Sequence, residues 1–210
     1  MQYKIIPVTH FQQNCSLIWC KKTKLTALVD PGGEEVKIHK VINNLKLVIE
    51  KILITHGHLD HVGSARVLSR FYNAPIIGPH QEDRVLLENL SNQAQAFSLQ
   101  HIQPVIPDFW LKENDLIKIG NEITFNVLHC PGHSPGHVIF WNKKYNFILM
   151  GDVLFKKSIG RTDLPGGDIK QLINSIKKKI LPMNDNTIFL PGHGPISTIG
   201  YERKNNPFLV

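Results

Sequence analysis

Apolar residues in this chain come in short runs, none longer than four uninterrupted positions, as at 138–141 and 147–150. The runs at 15–20, 26–29, 51–54, 75–78, 123–128, 137–141, 147–150 and 187–190 read as strands. Between them, apolar positions at three-to-four spacing predict helices over 34–44, 63–72, 82–90 and 168–180. The last carries a start signal: Gly166-Gly167 leads into Asp168, a candidate N-cap. Ile169, Leu172, Ile173 and Ile176 then form one stripe, expected to be buried. The stretch 91–114 has little periodicity and reads as a long connection. Strands and helices alternate without repeats, low-complexity segments or linkers. The expectation is one layered α/β domain spanning 1–210.

Composition narrows the class. At 42% hydrophobic, the 210 residues can bury a core without disulfide staples. No run approaches the roughly 20 apolar residues of a membrane span, and the first fifteen residues lack the apolar core of a signal peptide. A cytoplasmic protein is expected, with no membrane partner. Cys15, Cys20 and Cys130 are too few and too scattered for a disulfide framework or a zinc ribbon, and read as small buried side chains. The net charge of +7 invites a nucleic-acid reading, but 19 of the 24 basic residues are Lys, whereas Arg is the better phosphate and base reader. The dense run Lys177-Lys178-Lys179 falls in a helical pattern and reads as a solvated face. No nucleic-acid partner is expected.

The turns after the strands carry the chemistry. Five strand-like runs end in turns rich in His, Asp, Gly and Pro: VDPGG (29–33), ITHGHLDH (54–61), LHCPGHSPGH (128–137), LMGD (149–152) and FLPGHG (189–194). A rigid sheet can aim several such loops at one point. In the densest, His56, His58, Asp60 and His61 place four potential metal ligands within six residues. Imidazoles and a carboxylate suit zinc, and also iron or manganese. Such a cluster gains little directly after an apolar strand unless an ion organises it. No phosphate-binding G-x-x-x-x-G-K-[ST] loop is present.

T-H-x-H-x-D-H at 55–61, P-G-H at 131–133, G-D at 151–152 and P-G-H at 191–193, in that order, resemble the signature of the metallo-β-lactamase superfamily. The stretches NCSLIWC (14–20), LVDPGG (28–33), SIGRTDLPGGD (158–168) and LPGHGP (190–195) further resemble small bacterial glyoxalase II-like hydrolases. The resemblance implies a four-layer αββα sandwich with two zinc ions per chain at one edge, iron or manganese being alternatives. It assigns His56, His58 and His133 to the first metal, and Asp60, His61 and His193 to the second. Asp152 would bridge both, so that Asp60 and Asp152 are the carboxylates of the catalytic centre. Asp30 would support the ligands from behind, and His137 would do the same or be structural. Arg161 falls where relatives carry a basic residue that contacts the glutathione carboxylate; a surface salt bridge is the other reading of it. Only 17 residues follow His193, where related enzymes add a helical domain, so Tyr201 and Arg203, with Lys204, become the nearby substrate-binding candidates. Gly57 stands where those enzymes carry a His. His10, His39, His80, His101 and His129 have no motif support.

Two ions about 3.5–4 Å apart can share a hydroxide at neutral pH and stabilise the oxyanion formed when it attacks an acyl group. The implied activity is thioester hydrolysis, with S-D-lactoylglutathione or a similar acyl-thiol as the small-molecule substrate. Several true zinc β-lactamases place a Cys at the position of Asp152. The alternatives are a mononuclear iron persulfide dioxygenase, a phosphodiesterase or nuclease, and a non-catalytic metal-binding module. A monomer or weak homo-oligomer is expected.

Overall fold

The computed structural model describes residues 1–96 and 102–209. Two six-stranded mixed sheets face each other. The first takes the strands in chain order: β1 (Gln2–Val8), β2 (Gln13–Trp19), β3 (Leu25–Val29), β4 (Val48–Leu53), β5 (Ile76–His80) and β6 (Phe109–Leu111). β1 to β3 run antiparallel, and β3 to β6 run parallel. Parallel neighbours need crossovers. These are α1 (Glu35–Leu45) between β3 and β4, then the short α2 (Leu59–Val62) and α3 (Ala65–Tyr72) between β4 and β5. α4 (Arg84–Glu88) and α5 (Leu90–Ala96) come after β5. The second sheet contains β7 (Leu116–Ile119), β8 (Ile123–His129), β9 (Val138–Asn142), β10 (Phe147–Gly151), β13 (Ile188–Pro191) and β14 (Ser197–Thr198), in the spatial order 14-13-10-9-8-7. The small hairpin β11 (Leu154–Phe155) and β12 (Ser158–Ile159) stands apart, and α6 (Ile169–Ser175) and α7 (Ile199–Asn205) complete the chain.

Successive strand residues point to opposite faces, and here both faces are covered. In β10, Phe147 and Leu149 enter the core between the sheets, while Ile148 and Met150 face the core under α6. β9 does the same with Val138 and Phe140 inward and Ile139 outward. In β2, Ile18 lies between the sheets, while Leu17 and Trp19 join Ile38 and Ile42 of α1 on the other side. The layers are therefore helix, sheet, sheet, helix, as the resemblance implies. Double coverage is why these strands read as unbroken apolar runs.

The eight expected strands correspond to β2, β3, β4, β5, β8, β9, β10 and β13. β1 was not expected. It is an edge strand paired only with β2, with most of its residues exposed. The stretch 91–114 is not a bare connection, since it holds most of α5 and all of β6, with 97–101 outside the described residues. The helix expected over 82–90 is instead a 3-10 turn at Gln81–Asp83 followed by α4, which ends before Asn89. At 168–180 the cap is as read: the Asp168 carboxylate accepts from Lys170 N at 2.8 Å and Gln171 N at 3.1 Å. The helix then continues through one π turn at Ile176–Ile180. Ile169 is an exception to the buried stripe and is exposed. Lys179 is not freely solvated either, and donates to Glu113 at 2.9 Å and to the His129 carbonyl at 2.6 Å. All three cysteines are buried and free. Among the described residues no helix is long and apolar enough to cross a membrane.

Candidate metal centre

The five His- and Asp-rich turns converge at one edge of the sandwich. Backbone bonds hold them together: Val138 N donates to Thr55 O at 2.8 Å, Asn14 N to Gly192 O at 2.7 Å, and Gly192 N to Gly151 O at 2.8 Å. Gly192 is needed for the close approach. A Cβ there would stand 2.0 Å from Asp152 Oδ1 and 2.6 Å from the His61 ring.

Two ligand groups result. His133 Nε2 lies 2.9 Å from His58 Nδ1 and 3.2 Å from His56 Nε2. His193 Nε2 lies 3.1 Å from Asp60 Oδ2, and His61 Nε2 is 3.9 Å from the same oxygen. Asp152 touches both groups. Its Oδ2 is 3.6 Å from His133 Nε2 and from His193 Nε2, and its Oδ1 is 3.4 Å from His61 Nε2. His61 Nε2 and Asp152 Oδ1 are buried without a hydrogen-bond partner, a costly state that a bound cation relieves. Neutral imidazoles and carboxylates at this spacing fit two zinc or iron ions.

The outer ring nitrogens fix which inner nitrogens offer lone pairs. His133 Nδ1 donates to the Arg161 carbonyl at 2.7 Å, and His193 Nδ1 to the Phe11 carbonyl at 3.1 Å. Asp30, held at φ 48°, accepts from Thr55 N at 2.8 Å and from Thr55 Oγ1 at 2.7 Å, and faces His61 Nδ1 at 3.0 Å. The Thr55 hydroxyl, its proton committed to Asp30, accepts from His56 Nδ1 at 3.0 Å. One carboxylate thus orients a ring in each group. His137 reaches neither group. Its Nε2 accepts from Asp152 N at 3.0 Å and its ring stacks on His56, so it aims the carboxylate between the two groups.

Burial pushes His56 and His133 below the ordinary histidine range and His58 down to about 3, so these three rings are neutral, as metal binding requires. His61 and His193 go the other way. Burial would lower both, but for His61 the Asp152 and Asp60 charges outweigh it, and for His193 the Asp60 hydrogen bond does. A cation in the second group therefore displaces protons that Asp60 and Asp152 otherwise hold there.

A family model described as the metallo-beta-lactamase superfamily matches residues 8–193. The chain belongs to that superfamily. Hydroxyacylglutathione hydrolase GloC of Haemophilus influenzae is 47% identical over 210 residues, covering 100% of this chain and 98% of that protein. Among solved structures, TTHA1623 in a di-iron-bound form superposes with a TM-score of 0.89 at 37% identity, covering 98% of this chain and 100% of that one. The BLEG-1 B3 metallo-beta-lactamase gives 0.92 at 36%, covering 99% of each chain. The site is thus that of a metallo-beta-lactamase-type hydrolase, rich in histidine and laid out for two metal ions.

A cavity of about 610 Å³ opens over this centre. His58, Asp60, His133, Asp152 and His193 form its floor, and its walls are largely apolar, with Phe11, Leu59, Leu86, Phe155, Ile159 and Leu164. Arg161 lines the cavity, but its guanidinium makes a two-point pair with Asp163 at 2.7 and 2.6 Å. Tyr201 and Arg203 do not line it, contrary to the expectation for substrate contacts. Arg203 is engaged by Asp185 and by the Leu181 and Met183 carbonyls, and the Tyr201 ring lies under Lys156. Gly57 has no room for a histidine, since even a Cβ would stand 2.9 Å from Leu86 Cβ.

Two further residues carry no sign of their role in the sequence. Asp83 is fully buried and accepts from Gly57 N at 2.8 Å, Ser134 Oγ at 2.8 Å and Gly136 N at 2.5 Å, tying the first ligand loop to the second. Gln93 accepts from Leu59 N at 3.0 Å and donates to Leu86 O at 2.9 Å, bracing the same loop from α5. Neither lies in a motif, and only contacts with other segments give them a role.

Proposed function

We propose that this protein is a dinuclear metal-dependent thioesterase that hydrolyses S-D-lactoylglutathione or a similar acyl-thiol. The observation that carries the reading is Asp152, whose two oxygens face both histidine groups at the floor of the cavity. The 47% identity to a hydroxyacylglutathione hydrolase over the whole chain supports the choice of a thioester.

His56, His58 and His133 would hold one ion, Asp60, His61 and His193 the other, with Asp152 shared. When bound, the ions supply a water activated near neutral pH and an electrophile for the acyl carbonyl. The chain does the rest. Asp30 and Thr55 keep His56 and His61 in one orientation. Asp60 reaches the cavity floor, where its carboxylate can orient an attacking water and take up a proton. The apolar walls hold the acyl-thiol and exclude bulk water, and the thiol leaves as a thiolate that needs little protonation. Arg161, released from Asp163, is a cation lining the cavity that could meet a substrate carboxylate.

The test is hydrolysis of S-D-lactoylglutathione by the zinc-loaded protein, with His58→Ala as control. Turnover that disappears in the control is expected. No turnover above the control, with metal bound, would reject the glutathione thioester. The 36% identical B3 metallo-beta-lactamase makes the β-lactam nitrocefin the next substrate to assay.

A further inference from the structure

Outside the active centre, His80, Glu82 and His129 bring three more potential ligands together where β5 and β8 end. Glu82 Oε2 lies 3.6 Å from His129 Nε2 and 3.9 Å from His80 Nδ1. These separations are too long for hydrogen bonds. They are close to the roughly 3.3 Å between neighbouring ligand atoms around a tetrahedral ion with bonds of about 2.0–2.1 Å. A fourth donor is present, the Pro135 carbonyl, 2.8 Å from His129 Nε2. The two imidazoles are stacked, with centroids 4.2 Å apart and planes 24° apart, so one ring has to turn for both nitrogens to aim at a single ion. Both rings are largely buried while Glu82 is exposed, which leaves a path of entry.

We propose that His80, Glu82, His129 and the Pro135 carbonyl form a third metal site, for a borderline divalent cation of the Zn2+ type. His80 Nδ1 accepts a long 3.3 Å bond from Glu82 N, so it is the unprotonated nitrogen, and an ion would take its lone pair in place of that weak bond. Burial and the neighbouring His129 hold His80 below its ordinary pKa, which removes proton competition at neutral pH. His129 binds by moving its proton from Nε2 to Nδ1, and this frees the Pro135 oxygen as a ligand. The ion would join the ends of two strands from different sheets to the loop that carries His133. It would brace that loop from outside, beside the Asp83 contacts. Its chemistry is that of a closed structural site, with four protein donors and none left for substrate.

The experiment uses the full chain, stripped with chelator and equilibrated with buffered free Zn2+. Metal content per chain is compared for the wild type, Glu82→Ala and His129→Gln. Wild type should retain one equivalent more than either variant, or bind its last equivalent at least tenfold more tightly. Crystals of the wild type should show zinc-edge anomalous scattering between His80 and His129, which requires no variant to fold. Equal stoichiometry and affinity in all three proteins, with no anomalous peak at that place, would overturn the third site and leave the active centre untouched.

Discussion

Asp83 shows how much one side chain can carry without belonging to a motif. It is fully buried, and burial pushes its carboxyl up to about 6 against the pull of its bonds from Ser134, Gly136 and Gly57. An unfolded Asp titrates near 3.9. Between about pH 4 and 6 the native state therefore binds the proton more tightly than the unfolded chain. Its contribution to stability falls as pH rises through that window and is level above 6. Two pH units correspond to roughly 3 kcal/mol. Asp83→Asn cannot titrate and cannot accept all three donors. Its stability deficit relative to wild type should be largest near pH 4 and narrow by up to roughly 3 kcal/mol by pH 7, read from urea midpoints. Histidine titrations are common to both proteins and cancel in the difference. A deficit that is flat with pH would show that Asp83 titrates as an ordinary carboxyl. The candidate metal ligands differ from Asp83 in legibility, because they stand together in short motifs. Asp83 is 26 residues from Gly57 and 53 from Gly136, and nothing local marks it.

Among the elements, α6 is the one whose start was fully legible and whose consequence was not. Asp168 caps it, and Asp168 N also donates to Gly132 O at 2.7 Å. Gly132 lies against the helix so closely, at φ 135°, that a Cβ would stand 2.2 Å from Leu172 N. The first turn of α6 is thus a wall of the loop that carries His133. Asp168→Ala should cost about 1 kcal/mol, within the usual 0.5–2 for an N-cap, read as a lower urea midpoint with unchanged slope. An unchanged midpoint would mean that packing against Gly132 alone holds the turn. Where propensity and packing disagreed, packing won. The continuous pattern over 82–90 breaks into a 3-10 turn, α4 and α5, because this segment has to place Asp83 and Gln93 against the ligand loops. Ile169 fits the helical stripe but is exposed.

Taken whole, the molecule closes its two sheets over a centre where buried acids and imidazoles face one another, and metal should stabilise it accordingly. An ion present at about 1,000 times its dissociation constant adds about 4 kcal/mol. For a chain of this size each kcal/mol moves Tm by roughly 2–4 °C, so removal by chelator should lower Tm by roughly 10 °C, restored by Zn2+ and followed by calorimetry. A Tm insensitive to chelator and Zn2+ would mean that the centre binds no ion strongly. The sequence by itself determined the ligand types, their loops and the double coverage of the central strands, because those are written in contiguous residues and in runs of apolar side chains. Only the tertiary structure decided that Asp30 orients His61 directly and His56 through Thr55, that Asp83 joins two loops, and that His80 meets His129. It also decided that Tyr201 and Arg203 stand away from the cavity. Each of these depends on which residues distant in sequence become neighbours, and that is fixed by the packing of the sheets and helices rather than by any local pattern.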